Sequence, residues 1–480
     1  MKKRRVIVWF RNDLRLHDNE ALTDALRSAD EVVPVFVFDT RLFLGKTRYG
    51  FPKTGPHRAN FVLESIQDLR QRLRDRGSDL YVRVGHPEEI LPEMARELKT
   101  AWVFCNRERT EEEVNVQDRL ERKLWEIGQE VRYSRGKMLY YTADLPFPVT
   151  HTPDLFSHFR KEVEKYVEIR EPLPTPTAAD FHPISVALSP GELPSMTDFG
   201  HDEPYRRDPR AVLGFEGGET AGLARLQHFL WVSDAIQEYR ETRNSLLGAD
   251  YSSKLSAYLA QGCLSPKMIY AELKRYEAER VKNKSTYWLF FELMWRDFFR
   301  LMGKKYGNAI FKKGGPKRES HPEWQDDEQL FHCWAEGRTG IPFVDANMRE
   351  LAATGFMSNR GRQNVASFLV RDLHVNWQMG AEWFESLLVD YDPCSNWGNW
   401  NYVAGVGSDT REDRYFNILK QAQRHDPKGE YIKCWCPELA ALPVDLVHQP
   451  DEMSPAEQSK YGLKLGADYP RAMVRTAKWA

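Results

Sequence analysis

Residues 390–402, DYDPCSNWGNWNY, set carboxylates and amides directly beside indoles. The thirteen positions hold two acids, three asparagines and two tryptophans, and Pro393 and Gly398 are expected to break any helix. A buried carboxylate costs several kcal/mol unless it is paired, so acids and indoles rarely share a packed core. The stretch is therefore either a polar surface loop or a binding segment for a flat, apolar, hydrogen-bonding ligand.

The elements that must position such a site differ between the two parts of the chain. Residues 1–135 alternate short apolar runs with amphipathic stretches, which predicts strands joined by helices. The predicted strands lie at 5–10, 31–38, 79–84, 101–105 and 129–133, and the predicted helices at 20–29, 58–77, 87–99 and 111–128. This alternation predicts an α/β domain, Rossmann-like, with a doubly wound parallel sheet.

Residues 136–205 are unusually rich in proline. Eleven of the 27 prolines of the chain fall between positions 146 and 209, around one short helical patch near 154–166. Proline removes a hydrogen-bond donor from helices and from strand ladders, so this stretch is predicted to be a connector over the surface.

Residues 206–480 have apolar residues at helical spacing and predict an all-α domain. Its predicted helices include 217–231, 253–265, 266–281, 286–307 and 363–377. Eleven of the 14 tryptophans lie in this part. Such an aromatic content suits a core built around a flat cofactor, although the tryptophans could equally be ordinary core residues.

Composition excludes several classes of protein. The chain has 480 residues, of which 41% are hydrophobic, which predicts a globular protein with two domains or more. It has no run of eighteen apolar residues and no apolar segment behind MKKRR, so we expect no membrane span and no secretory signal. An organelle leader is also not evident, which predicts a cytoplasmic protein.

The six cysteines form no disulfide framework for a chain of this size. The CWC triplet at 434–436 lacks a second pair of cysteines, so no metal site is predicted. The net charge of −2 does not indicate a nucleic-acid-binding protein, but a basic groove can exist within a neutral total.

Several long motifs resemble those of the photolyase/cryptochrome family, most closely its DASH branch. They are VIVWFRNDLRLHDNEAL at the start, FELMWRDFFR (291–300), residues 340–370, and the 390–402 stretch. The similarity extends over essentially the whole chain. The resemblance implies a flavin, FAD, folded into a U inside the helical domain.

The resemblance also implies which residues bind FAD. These are Tyr239, Ser252, Ser253, Lys254, Leu255, Ser256, Arg296, Asn359, Arg362, Asp390, Asp392 and Asn396. YSSKLS (251–256) matches the segment that binds the phosphates, although by itself it could be an ordinary serine helix cap.

The remaining matches imply roles at the flavin ring. Arg296 would favour the anionic reduced state, and Asp392 would accept a hydrogen bond from the ring. Arg362 and Asp390 would brace the site as a pair. Asn396 falls beside the reactive ring nitrogen, where an amide does not readily donate a proton. Asn396 therefore favours electron transfer from the fully reduced anion.

Three tryptophans match an electron-transfer chain that leads from the flavin to the protein surface. They are Trp400, Trp377 and Trp324. Without the resemblance, the same three residues would be interpreted as packing.

Four residues match the positions that face a DNA lesion in photolyases: Glu292, Trp295, Gln363 and Tyr402. A carboxyl group at 292 could hydrogen-bond a pyrimidine carbonyl, and an indole gives a stacking wall. Tyr402 replaces a tryptophan, Gln363 replaces a methionine, and Leu289 stands where a second tryptophan is expected. These departures are DASH-like and place the repair of intact duplex in doubt.

A second, antenna pigment is implied in the amino-terminal domain, usually 5,10-methenyltetrahydrofolate. Glu111 is the predicted contact, although an acid there could equally be a solvated helix start. FKKGGPKR (311–318), with Lys304 and Lys305, offers cations for DNA phosphates; the alternative is a solvated basic loop.

Together these features predict a monomeric, blue-light-dependent flavoprotein that repairs cyclobutane pyrimidine dimers, preferentially in single-stranded DNA. The excited reduced flavin would pass an electron to a flipped dimer, two bonds would break, and the electron would return. One alternative is a sensory photoreceptor or transcription regulator without significant repair. Another is a thermal flavin or nucleotide enzyme, which the missing dinucleotide fingerprints oppose.

Overall fold

Five parallel strands form one sheet in the amino-terminal part of the molecule. The computed structural model describes residues 3–317, 324–408, 415–474 and 479. The strands are β1 (Arg5–Phe10), β2 (Glu31–Asp39), β3 (Tyr81–Gly85), β4 (Trp102–Asn106) and β5 (Glu130–Ser134). Their order in the sheet is β3-β2-β1-β4-β5, and every neighbouring pair is parallel.

Helices cover both faces of this sheet. They are α1 (Glu20–Ser28), α2 (Thr40–Phe43), α3 (Pro56–Arg74), α4 (Pro87–Leu98) and α5 (Glu111–Glu126). Alternate residues of a strand point to opposite faces: Val6 and Val8 of β1 pack with α1 and α3, whereas Ile7 and Trp9 pack with α4 and α5. The predicted doubly wound α/β fold is confirmed.

The proline-rich stretch is more than a surface connector. Its helix α6 (Phe156–Tyr166) buries Phe156, Phe159 and Val163 in the same core as the helical part. Prolines were expected to keep this segment outside the core, but its apolar residues at helical spacing give it a buried face.

The described residues beyond position 206 contain helices and no strand. The first of these helices are α7 (Glu219–Gln227), α8 (Tyr239–Thr242), α9 (Ser256–Ala260), α10 (Pro266–Glu279), α11 (Lys284–Tyr306), α12 (Glu328–Ala335) and α13 (Pro342–Thr354). They continue with α14 (Asn359–Ser367), α15 (Trp377–Leu387), α16 (Pro393–Ala404), α17 (Ile418–His425), α18 (Glu430–Trp435), α19 (Val444–Val447) and α20 (Pro455–Tyr461). The predicted helices at 217–231 and 363–377 each change to a π-helical turn, at His228–Val232 and Phe368–Asp372.

The expectation that Pro393 and Gly398 break a helix is wrong. Pro393 is the first residue of α16, where its missing N–H costs nothing, and Asp392 caps the helix by accepting from Ser395 N at 2.8 Å. Gly398 lies inside α16, at the point where Phe299 of α11 packs against the helix. A Cβ at this position would come within 2.3 Å of the Phe299 ring, so the close packing requires glycine.

The two parts of the molecule are joined by a buried loop after β1. Leu16 N donates to Glu219 at 2.7 Å, and His17 Nδ1 lies 2.6 Å from the same carboxylate. Arg15 donates from its guanidinium to Gly262 O of the helical part at 2.9 Å. Glu219, at the start of α7, therefore anchors the amino-terminal sheet to the helices.

Replacing Glu219 with alanine should lower the free energy of unfolding by about 3–5 kcal/mol, because it leaves buried donors without an acceptor. Burial alone would raise the pKa of Glu219, but the hydrogen bond and charge of His17 and the charge of Arg72 hold it below its ordinary value. The stabilisation is therefore present above the unfolded-state pKa and is lost as the pH falls through the lower folded-state pKa. Chemical denaturation at several pH values measures both effects.

The matched control is Glu162→Ala, at an exposed glutamate of α6, which should change stability by no more than about 0.5 kcal/mol. Equal denaturation midpoints for Glu219→Ala and the wild type would contradict the anchoring role.

Candidate functional site

One cavity of about 330 Å³ lies in the helical part. Every residue predicted to bind the cofactor lines it: Tyr239, Ser252, Ser253, Lys254, Leu255, Ser256, Arg296, Asn359, Arg362, Asp390, Asp392 and Asn396. Its wall also includes Trp400 and three predicted lesion-facing residues, Glu292, Gln363 and Tyr402. Trp295, Trp377, Trp324 and Glu111 are not part of the wall.

Asp392 reaches the cavity wall as part of a buried charge network. Arg300 donates to Asp392 at 2.9 Å and to Glu108 at 3.2 Å, and Glu108 also pairs with Lys137. Burial alone would raise the pKa of Asp392, but the charges of Arg300 and Arg296 hold it below its ordinary value. Asp392 is therefore an ionised acceptor at neutral pH.

Asp390 forms the pair with Arg362 that the sequence suggests, at 2.8 Å. Ser256 donates to the same carboxylate oxygen, Oδ2, at 2.6 Å. The other oxygen, Oδ1, is buried and has no hydrogen-bond partner among the described residues. A buried acceptor in that state costs about 1–3 kcal/mol, so a donor supplied by a ligand would stabilise it.

The segment 252–256 carries a buried lysine on the cavity wall. Lys254 is 2% exposed and has a left-handed backbone with φ 57°, and its Nζ lies 3.1 Å from Ser252 Oγ. Burial and nearby Arg225 lower the pKa of Lys254 well below its ordinary value. Arg225 also donates to Ser253 O at 2.9 Å, which fixes the backbone of the segment. The arrangement suits an anionic ligand that restores the lysine charge.

Two further polar residues of the wall have fixed orientations. Arg296 donates to Lys137 O at 2.8 Å and to Leu259 O at 3.2 Å, which holds the guanidinium against the cavity. Asn396 donates from Nδ2 to Ala381 O at 3.0 Å. Asn396 and Trp400 are four residues apart on α16 and so lie on the same helical face.

Glu292, which is predicted to face a lesion, is held by two neighbours. Arg243 lies 2.6 Å from its Oε1, and Trp288 Nε1 donates to the same oxygen at 3.1 Å. Burial raises the pKa of Glu292, although Arg243 opposes the shift. Trp288 does not line the cavity, whereas Leu289 does. Trp288 is thus a support for Glu292 and not a wall residue.

Trp295 is covered by the proline-rich segment. Phe156 of α6 stacks on its ring at 3.7 Å between centroids, with 9° between the planes. Tyr402 meets Trp295 edge-on at 6.0 Å. The indole therefore supports Tyr402 from outside the cavity, and its predicted role at a lesion stays a prediction.

Of the three predicted relay tryptophans, Trp400 lines the cavity, whereas Trp377 and Trp324 do not. Trp400 packs edge-on against Phe384 at 5.1 Å, and Trp377 packs edge-on against Trp397 at 5.6 Å. Lys313 connects the outer two, because its carbonyl accepts from Trp377 Nε1 at 3.0 Å and its Nζ donates to Trp324 O at 2.9 Å. Trp324 is buried. Electron transfer along them stays a prediction.

Glu111, the predicted antenna contact, lies exposed in the first turn of α5. Its neighbour Glu113 is less exposed and accepts from Thr110 Oγ1 at 2.7 Å. The antenna role of Glu111 stays a prediction.

The basic stretch predicted to bind DNA is described only up to Lys317, and Arg318 lies outside the described residues. Lys305 pairs with Asp154 at 2.6 Å. Burial and the nearby charge of Arg109 lower the pKa of Lys304. Binding of DNA phosphates by this stretch stays a prediction.

Within the described residues, no group of three or more His, Cys, Asp or Glu side chains could hold a metal ion. No helix in the same ranges is long and apolar enough to span a bilayer.

Sequence reasoning missed Arg300 and Arg243, the two arginines that hold Asp392 and Glu292. Each has a signal in helical spacing: Arg300 follows Arg296 by four residues, and Arg243 follows Tyr239 by four. Only the fold shows which acid each arginine meets.

Comparison with known proteins agrees with this geometry. Residues 288–480 match the family described as the FAD binding domain of DNA photolyase, and residues 6–177 match the family described as DNA photolyase.

Other known proteins are similar to this chain over nearly its whole length. A Cryptochrome DASH of Gloeobacter violaceus is 53% identical over 99% of this chain and 94% of its own length. The crystal structure of a Synechocystis cryptochrome superposes with a TM-score of 0.95 at 50% identity, covering 100% of this chain and 98% of that one. A class III photolyase from Agrobacterium tumefaciens gives a TM-score of 0.84 at 29% identity, covering 100% and 96%. With a flavin-domain match, the cavity and this degree of identity, the chain belongs to the photolyase/cryptochrome family, in its cryptochrome DASH branch.

Proposed function

We propose that this protein binds FAD in the cavity and uses blue light to repair cyclobutane pyrimidine dimers, preferentially in single-stranded DNA. The proposal rests on one observation: the residues predicted to bind FAD line the same cavity as Glu292, Gln363 and Tyr402. When bound and reduced, FAD supplies a light-driven electron.

The wall chemistry supports a dinucleotide. Lys254 with the hydroxyls of Ser252 and Ser253 would hold the diphosphate, because a bound anion stabilises the charged form of a buried lysine. Asp392, ionised, and Asp390, with its unpartnered Oδ1, would accept from N–H groups of the flavin ring. Asn396 would present a neutral amide to the ring.

The lesion-facing side supports a pyrimidine dimer. The raised pKa of Glu292 increases its protonated fraction, and a protonated carboxyl donates a hydrogen bond to a pyrimidine carbonyl. Arg243, which pairs with Oε1 of Glu292, would hold the carboxyl in place during the reaction. Tyr402 and Gln363 offer a weaker stacking wall than two large apolar residues would.

Lys254→Met should weaken FAD binding by about tenfold to a hundredfold, the loss expected for one charge-assisted hydrogen bond of roughly 1.5–3 kcal/mol. The same change should leave the FAD-free protein as stable as the wild type or more stable, because a buried lysine is costly. Equilibrium dialysis with FAD and thermal unfolding of the FAD-free protein measure the two effects. Lys254→Arg, which keeps a cation, is the control and should bind FAD nearly as the wild type does. A Lys254→Met protein that retains full FAD affinity would contradict the assignment of the diphosphate side.

Trp400→Phe should slow the photoreduction of bound flavin under blue light with an external reductant, because phenylalanine is much harder to oxidise than indole. The absorbance of oxidised flavin during illumination measures the rate. Trp334→Phe is the matched control: Trp334 is fully buried and packs edge-on against Trp400 at 6.4 Å, but it does not line the cavity. Equal slowing by both variants would point to packing and not to a relay. Repair by chemically reduced Trp400→Phe protein should persist.

Repair of a dimer in single-stranded DNA should exceed repair in matched duplex by at least about tenfold under limiting protein, since roughly 1.4 kcal/mol corresponds to a factor of ten. A dimer in duplex DNA must first lose its stacking and pairing, at a cost of a few kcal/mol. Stacking on Tyr402 and Gln363 offsets less of that cost than stacking on two large apolar residues would. The assay compares one lesion in one sequence context, at one salt concentration, in the light and in the dark.

Comparable repair of both substrates would reject the weakened-wall argument. Flavin binding without light-dependent repair of either substrate would instead support a photoreceptor.

A further inference from the structure

Tyr391 lies between a tryptophan of the relay region and a carboxylate. Trp397 Nε1 donates to Tyr391 Oη at 3.3 Å, and Tyr391 Oη donates to Glu385 Oε2 at 2.8 Å. Trp397 meets Trp377 edge-on at 5.6 Å between ring centroids. A continuous contact path therefore runs from Trp377 through Trp397 to the Tyr391–Glu385 pair.

The surroundings of the pair suit Glu385 to accept a proton from Tyr391. Charged groups that face Glu385 are Arg58 and Lys53, from the sheet part of the molecule, and Glu112 at the start of α5. Burial raises the pKa of Glu385 to about 7, against the opposing effects of Arg58 and Tyr391. The Arg58 guanidinium lies over the Tyr391 ring at 4.9 Å. Oxidation of a phenol is far easier when its proton has an acceptor at hydrogen-bond distance.

We propose that Tyr391 is a terminal electron donor on a branch from Trp377 through Trp397, with Glu385 as the acceptor of its proton. This rests on the proposed function, in which photoexcited oxidised flavin withdraws an electron through Trp400 and Trp377.

One electron moves from Tyr391 to the oxidised indole of Trp397, which returns to its neutral closed-shell form. The phenol O–H bond breaks, and its proton forms an O–H bond with the Glu385 carboxylate. Tyr391 becomes a neutral tyrosyl radical, which an external thiol can reduce. Because the proton has moved to Glu385, the electron can return to Tyr391 only together with that proton, which slows its return. Tyr391 itself lines the cavity, so the slower return comes from the proton transfer and not from distance.

The pH dependence follows from the acceptor. Only the carboxylate form of Glu385 can take the proton, so the yield of the Tyr391 radical should rise with pH through the region near 7. Protonation of Glu385 at lower pH should prevent proton transfer from Tyr391 and leave the radical on tryptophan.

The experiment is light-induced electron paramagnetic resonance of the FAD-loaded protein, frozen during illumination, with ring-deuterated tyrosine to identify tyrosyl signals. We expect a tyrosyl radical in the wild type that is lost in Tyr391→Phe and in Glu385→Gln, where the amide cannot take the proton. Tyr431→Phe is the matched control, because Tyr431 also donates to a buried glutamate, Glu350, at 2.6 Å, and the pKa of Glu350 is also raised by burial to about 7. That variant should keep the tyrosyl signal.

A full tyrosyl signal in Tyr391→Phe, or only tryptophan radicals in the wild type across the pH range, would overturn the branch while leaving the relay of the proposed function intact. A light-induced radical of neither kind in FAD-loaded protein would overturn both. Circular dichroism of Glu385→Gln and Tyr391→Phe, compared with Tyr431→Phe, separates loss of the donor from loss of the fold.

Discussion

Four buried charges of alternating sign, Lys137, Glu108, Arg300 and Asp392, connect the sheet part of the molecule to the cavity wall. None can be removed alone without leaving its partner buried and uncompensated, a change that typically costs 3–5 kcal/mol. The network therefore fixes Asp392 in position and keeps it ionised. Because Asp392 is also the cap of α16, the same network determines where Asn396 and Trp400, four and eight residues later, face the cavity.

The basic and acidic side chains of the cavity wall lie on different segments of the chain. Lys254 lies at the serine segment, whereas Asp390 and Asp392 lie at the start of α16, each neutralised by its own arginine. Glu292 has its own arginine as well, Arg243. An anionic group fits beside Lys254, and a ring with both donors and acceptors fits beside the two aspartates, so a dinucleotide with a polar aromatic ring satisfies both.

Much of this arrangement could be predicted from the sequence. The alternation of short apolar runs with amphipathic stretches in residues 1–135 indicates a parallel sheet covered on both faces, and the acid–indole stretch 390–402 indicates a ligand. The cofactor-binding residues implied by the resemblance, among them Arg362 and Asp390, all line one cavity.

What could not be predicted depends on contacts between distant segments. Pro393 is compatible with a helix only because it is the first residue, and Gly398 because Phe299 packs there. Phe156 lies 139 positions before Trp295 and nevertheless stacks on it. The partners of Arg300 lie 192 and 92 residues away. No local pattern specifies such pairs, because they follow from how the segments pack.

We propose that one cavity, with Lys254 in its serine segment on one side and the acidic start of α16 on the other, binds the flavin. The most direct measurement is the crystal structure of the FAD-loaded protein. We predict electron density for one FAD per chain in this cavity, with its diphosphate beside Ser252 and Lys254 and its ring system beside Asp390, Asp392 and Asn396. Flavin density at any other place in the chain, or a cavity that stays free of flavin at saturating FAD, would contradict the account.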